Sequence, residues 1–282
     1  MYRFRWTKHL IASCALSAVF TFGLSIPQAI AADPPVVEAV PQPSFDPARF
    51  GNEPKEKQWS LIVGGGGIYE PTYEGGDEFE VSPVPFVVFT WGDWLEIDPR
   101  GITVTALEQN GFSIAGKVGY ETGRDEKDDD RLRGLGDIDF AATVGAKVAY
   151  DWRGFEVYAA IDQTIEGSES LIGTLGVDYQ APVTERLFLG AGAKATFANA
   201  EHMQTYFGIT ARQSAESGLP EYKADAGLKR IDMSVSATYM LSQNWLVRGE
   251  AGVGFLTGHA ADSPVVSKKT QPSGSLFVGY KF

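Results

Sequence analysis

The 282-residue chain is poor in cysteine, histidine, positive charge and long apolar runs, and each shortage closes off a class of protein. Its one cysteine, Cys14, lies in an N-terminal apolar stretch that reads as a leader, so the exported chain has no disulfide, thiol chemistry or thiolate metal site. Beyond that stretch no apolar run approaches the 18 or so residues of a membrane helix, which excludes helical spans and leaves strands as the only way across a bilayer. Lys and Arg total 24 against 36 Asp and Glu. Loss of the leader removes Arg3, Arg5 and Lys8 but no acid, taking the net charge from -12 to about -15, a surface that repels phosphate backbones and excludes nucleic acid as a partner.

What is present begins with that leader, residues 1–31. Arg3, Arg5 and Lys8 form a basic start, Leu10 to Ile26 an apolar core, and Ala29-Ile30-Ala31 a small-residue cleavage site. A retained anchor would need about 20 apolar residues; this stretch is shorter and is broken by Ser13, Ser17, Thr21 and Ser25. Residues 32–57 carry Pro34, Pro35, Pro41, Pro43, Pro47 and Pro54 among polar residues, and they read as a disordered periplasmic linker ahead of a folded domain at 58–282.

From Trp59 onward, segments of about ten residues alternate apolar and polar, the pattern of strands with one face on lipid and the other on a lumen. At the C-terminus Leu276, Val278, Tyr280 and Phe282 oppose Ser275, Phe277, Gly279 and Lys281. Trp245, Val247, Ala251, Val253 and Phe255 oppose Arg248, Glu250, Gly252 and Gly254, while Ile231, Met233 and Val235 oppose Arg230, Asp232 and Ser234. Farther back, Leu187, Leu189 and Ala191 alternate with Arg186, Gly190 and Lys194. A soluble sandwich also alternates, but it would have to bury those charges at several kcal/mol each. Aromatics such as Trp59, Tyr120, Trp152 and Trp245 mark segment ends, where interfacial girdles belong. The terminal Leu276, Val278, Tyr280 and Phe282 pattern matches the signal read by the bacterial barrel-assembly machinery.

The expected fold is therefore an all-β, antiparallel, up-and-down transmembrane barrel in the outer membrane, with outer-membrane lipid and lipopolysaccharide around it. Short connections fall at Gly92-Asp93, Gln109-Asn110-Gly111, Asp151 to Gly154, Ala181 to Glu185 and Ser242 to Asn244, and these read as periplasmic turns. Long ones near Glu70 to Glu80, Thr122 to Asp137, Ala198 to Gly227 and Thr257 to Pro272 read as outer loops. Strict alternation makes Asp98-Pro99-Arg100-Gly101 a tight outer turn and Gly167 to Ser170 a small loop, giving twelve strands; ten is the alternative, because the strands around Trp94 to Leu107 are short. Pro83 and Pro85 delete ladder donors and predict a local bulge.

Chemistry-bearing motifs are sparse. His202 and His259 fall in outer loops, and neither their spacing to Ser217, Ser263 or Asp262 nor any other pattern supports a catalytic group, so solvated histidines are expected. Gly64 to Gly67 lacks the Lys-Ser/Thr of a phosphate loop and reads as curvature or close packing against the wall. Asp125 to Asp130 reads as a solvated, mobile acidic loop, with divalent bridging to lipopolysaccharide as the other reading. Arg186, Lys194, Arg230, Asp232, Arg248 and Glu250 are placed facing the lumen, where mixed signs fit either an aqueous pore or a cross-braced, closed interior. No cofactor or metal site is read.

Five segments carry a family resemblance: Gly65 to Gly75, Leu132 to Ile138, Gln204 to Ile209, Ser217 to Tyr222 and Ala260 to Val266. In this order they resemble the MltA-interacting protein family, also called MipA/OmpV, over Trp59 to Phe282. The resemblance implies an outer-membrane barrel without enzymatic activity, acting as a scaffold that joins a lytic transglycosylase to a penicillin-binding protein in peptidoglycan synthesis. Other members look like osmotically regulated or adhesive surface proteins. A narrow channel for small solutes and a surface adhesin are the alternative functions.

Overall fold

The computed structural model describes residues 58–165 and 169–282. The leader with its Ala29 and Ala31 cleavage site, the linker at 32–57 and part of the small loop before Ser170 lie outside the described residues. Twelve strands follow one another: β1 (Trp59–Pro71), β2 (Phe79–Trp91), β3 (Leu95–Asp98), β4 (Gly101–Gln109), β5 (Phe112–Glu121), β6 (Ala141–Trp152), β7 (Phe155–Thr164), β8 (Leu171–Pro182), β9 (Leu187–Ala198), β10 (Gly227–Met240), β11 (Trp245–Leu256) and β12 (Thr270–Lys281). Each pairs antiparallel with its neighbours in the chain, and β1 closes on β12, so the expected twelve-stranded up-and-down barrel is what forms.

The alternation in sequence becomes the two faces of the wall. Along β10, Met233, Val235, Ala237 and Tyr239 are exposed on the outside while Asp232 and Thr238 are buried within. Outward aromatics gather at the turn end, with Phe155 4.5 Å from Tyr179 and Trp245 5.2 Å from Tyr280 between ring centres, and at the other end as the Tyr69–Phe79 and Tyr120–Phe140 stacks. The five short turns share one end, which in barrels of this kind is periplasmic. Their residues suit them: Asn110 and Gly111 both take left-handed φ values, 53° and 82°, and a Cβ on Gly111 would stand 2.5 Å from the Asp151 carbonyl oxygen.

The bulge expected at Pro83 and Pro85 is absent; β2 pairs with β1 in unbroken register from Trp59–Trp91 to Pro71–Phe79. The reason is which edge the prolines occupy. Gly92 donates its N–H to the Gln58 carbonyl on the β1 side, so the odd-numbered residues of β2, Pro83 and Pro85 among them, turn their backbone groups the other way. There β3 is only four residues long and meets β2 only at Phe89, Thr90 and Trp91. The missing donors therefore face an unpaired edge, where proline costs no ladder bond.

A bulge does occur in β10, where the register with β9 shifts between Leu228 and Arg230. The extra residue puts Lys229 and Arg230, adjacent in sequence, on the inner side together; both are under a tenth exposed. The inner side of the turn end is filled by Ile62, Val88 and Leu246 with Phe86 beside them. Gly64 makes this possible, since a Cβ there would lie 2.6 Å from the Phe86 ring and 2.2 Å from the Val278 carbonyl oxygen.

Candidate functional site

The outer mouth of the barrel is closed by four loops: 72–78, 122–140, 199–226 and 257–269. The third contains helices α1 (Ala200–Phe207) and α2 (Ala211–Ser217), and the fourth the single turn α3 (Gly258–Ala261). Local sequence explains them. Asn199 caps α1 by accepting from the His202 N–H, and Thr210 with Gln213 forms a capping box on α2, which ends at Gly218 with φ 76°.

Above the strands these loops share two apolar cores. Met203, Tyr206 and Phe207 of α1 pack with Ala224, Leu256, Ala260 and Ala261. Tyr73, Leu132, Leu135, Ile209 and Val265 form the second, with Leu219 and Tyr222 against them. Every one of the five segments that carry the family resemblance contributes to this second core. Side chain to backbone bonds stitch loop to loop: Tyr73 Oη to Val265 O (2.9 Å), Arg131 Nε to Pro264 O (2.9 Å), Gln213 Nε2 to Leu135 O (2.6 Å) and Ser263 Oγ to Phe207 O (2.6 Å). Burial drives the Tyr73 phenol pKa above its ordinary value.

Beneath the lid lies a polar layer. Glu74 receives Lys229 Nζ at 3.2 Å and Arg230 at 3.4 Å, and Arg230 Nε also reaches Asp232 at 2.6 Å. His202 has no solvent exposure, which corrects the expectation of a solvated loop histidine. Its Nε2 lies 3.2 Å from Lys229 Nζ and its Nδ1 3.0 Å from Ser170 Oγ. A lysine ammonium can only donate, so Nε2 accepts and Nδ1 carries the proton toward the serine. That polarity is opposite to a nucleophile's, because the base must accept from the hydroxyl. Burial and the neighbouring Lys229 charge push the His202 pKa well below its ordinary value. His259 is exposed.

Of the sequence-derived lumen charges, Lys194, Arg230, Asp232, Arg248 and Glu250 lie on the inner face, whereas Arg186 sits in the exposed turn between β8 and β9, outside the lumen. The alternation placed Arg186 on the inner side, but the strand begins one residue later. Opposite charges pair between neighbouring strands, Lys147 with Glu156 (2.6 Å) and Lys194 with Asp232 (3.9 Å), across the intervening β6, Lys117 with Asp162 (3.0 Å), and within β11, Arg248 with Glu250 (2.9 Å). The acidic run is ordered by its own bonds, Asp125 N–H to Asp128 and Arg131 N–H to Asp129, with Glu126 accepting from Gly134 and Gly136, rather than being a solvated strip. Leu276, Val278 and Phe282 of the terminal pattern are exposed on the outer face, with Tyr280 half-buried between Trp245 and Phe282. The sequence reading missed Glu74, Lys229 and Ser170; the β10 bulge and the buried helix that recruit them leave no periodic signal.

On the turn side, β4 runs on past the end of β3, so Ala106 to Gln109 have no strand on that side. A groove of about 490 Å³ lies there, lined by Trp94, Thr105, Leu107 and Glu108 among others.

A twelve-stranded barrel with an apolar outside, aromatic girdles and a lid over one mouth defines an outer-membrane β-barrel protein. The family model of MltA-interacting protein MipA matches residues 63–282, and the chain belongs to that family. No individual curated protein sequence matches it significantly. Among solved structures it is similar to the NanC porin (8% identity, 79% of this chain and 100% of that one, TM-score 0.44), to OmpF of Salmonella typhi in complex with daunomycin (11%, 79% and 97%, 0.38) and to a FadL homologue of Pseudomonas aeruginosa (9%, 79% and 89%, 0.39).

Proposed function

We propose that this outer-membrane protein is a non-enzymatic scaffold of the cell envelope, holding a lytic transglycosylase, and through it a penicillin-binding protein, at the inner surface of the outer membrane. The observation that carries the reading is the closed outer mouth: four loops sharing two apolar cores lie over a lumen whose cations face carboxylates. Loops packed over the mouth and cations already held by carboxylates are what a braced, closed interior requires, which disfavours the channel reading. The buried Ser170–His202 pair has the wrong polarity for a nucleophile, and the family takes its name from an MltA-interacting protein, which supports the reading of a lytic transglycosylase as partner.

A scaffold of this kind works from its periplasmic end. The unpaired edge of β4 beside the Trp94 and Leu107 groove offers backbone donors and acceptors to an extended segment of a partner. In vivo crosslinking followed by purification is expected to recover a murein hydrolase. Trp94→Ala with Leu107→Asp is expected to reduce that recovery while the barrel still assembles. Recovery of no murein enzyme, together with steady conductance in planar bilayers that Arg248→Ala alters, would overturn the proposal in favour of a channel.

A further inference from the structure

We infer that the barrel wall is open sideways to the bilayer between β2 and β5, above the β3–β4 turn, and that this opening admits the hydrocarbon chain of a membrane lipid onto an apolar strip of the lumen formed by β2, β1 and β12. The inference is independent of the scaffold reading.

The opening follows from strand lengths. Strands β3 and β4 stand between β2 and β5, but β3 ends at Asp98, where the chain turns back through Pro99 and Arg100. Level with that turn, β2 is at Val88, and it continues to Phe79 with no strand on its far side among the described residues. Ten residues of β2 edge, about 30 Å at strand rise, thus face a gap that two strands of about 4.8 Å each fill lower down. Open backbone edges are not stable in hydrocarbon unless something covers them or their polar groups are removed. Pro83 and Pro85 delete donors on that very edge, and they also stop a foreign strand from pairing with it. Val81 and Val87 flank them on the lipid side, Val81 at 70% exposure.

The interior behind the gap differs from the rest of the lumen. Across β2, β1 and β12 the ladder aligns Val84, Gly66 and Phe277 in one row, Phe86, Gly64 and Gly279 in the next, and Val88 with Ile62 below. On these three strands the first two rows carry no charged side chain, the first reaching one only at Arg248 of β11, and Phe86 and Phe277 meet edge to face at 5.4 Å. One row higher, Ser82 and Ser275 flank Ile68, and both hydroxyls are buried without a protein partner. The wall from β5 to β7 carries the Lys117–Asp162 and Lys147–Glu156 pairs, and the Arg248–Glu250 pair of β11, beside Phe277 and Ser275, bounds the strip on its other side. An apolar strip beginning at a side opening and ending at two unpartnered hydroxyls fits an acyl chain whose ester or amide end lies uppermost.

The test is photolabelling of the full-length barrel in liposomes that contain phosphatidylethanolamine with a diazirine on its acyl chain, followed by peptide mapping. Outward residues such as Val235 are labelled in any case. The inference expects additional label on Val84, Phe86 and Phe277, and it expects Val84→Trp to lower that inner label about tenfold with the Val235 label unchanged. Heat-modifiable migration on gels confirms that the variant is folded. Label confined to outward residues, inner label spread equally over the charged wall, or inner label indifferent to Val84→Trp would each overturn it.

Discussion

Glu74 carries the attachment of the lid to the wall, and its replacement by glutamine measures how much. The side chain is 7% exposed and faces Lys229 and Arg230, themselves 4% and 8% exposed, which the β10 bulge turns inward side by side. Glutamine keeps the shape and removes the negative charge. Deleting one member of a buried ion pair costs about 3–5 kcal/mol, because the remaining charge stays desolvated. Glu74 belongs to a loop and not to the strand ladder, so the cost falls on lid docking. At about 1.4 kcal/mol per tenfold, the lid of Glu74→Gln should open roughly 10² to 4 × 10³ times more often. Limited trypsin digestion in detergent reads this directly, since Lys127, Arg131, Arg133, Arg212 and Lys223 all lie in the lid loops and cleavage tracks the open population. Faster cleavage by that factor, with heat-modifiable migration intact, is the expected result. Cleavage within about fivefold of the parent, the worth of an exposed pair, would refute the buried clamp.

The same digestion should depend on pH. The His202 pKa in the folded lid lies below its unfolded value of about 6.5, so the unfolded loop binds the extra proton first. Lid stability should hold above about pH 6.5 and fall below it by at most about 1.4 kcal/mol per pH unit, and His202→Gln should flatten that dependence. Leu132→Ala, which truncates a side chain with no exposure in the lid's second core, should cost about 2–5 kcal/mol of lid stability and leave the barrel's urea midpoint unchanged. Gly64→Ala should do the reverse, destabilising the barrel in micelles by about 1–3 kcal/mol, whereas Gly65→Ala, whose Cβ meets nothing nearer than 3.8 Å, should be nearly silent. Phe282→Ser should lower the amount of assembled protein in the outer membrane without altering the stability of what assembles, as judged by fractionation and heat-modifiability.

Much of the architecture is written locally. A two-residue period assigns each side chain of β10 or β12 to lipid or lumen without reference to any other strand, and turn residues such as Asn110-Gly111 fix where the chain reverses. Alternation of short and long connections then sets twelve strands and the end at which the loops collect. What depends on neighbours is not written this way. Pro83 and Pro85 suggest a bulge until the four-residue β3 shows that their edge has no partner. His202 in a long polar loop looks solvated, yet α1 carries it under the lid against Lys229. Lys229 itself belongs by strict alternation on the lipid side, and only a one-residue shift against β9 brings it to Glu74. Arg186 keeps the right parity but falls just outside the strand. Local periodicity determined the barrel, because facing lipid or lumen is a property of one residue's position on one strand. The lid, its ionic clamp and the side opening were decided only by tertiary structure, because each arises where strands of unequal length or register, or loops far apart in sequence, meet.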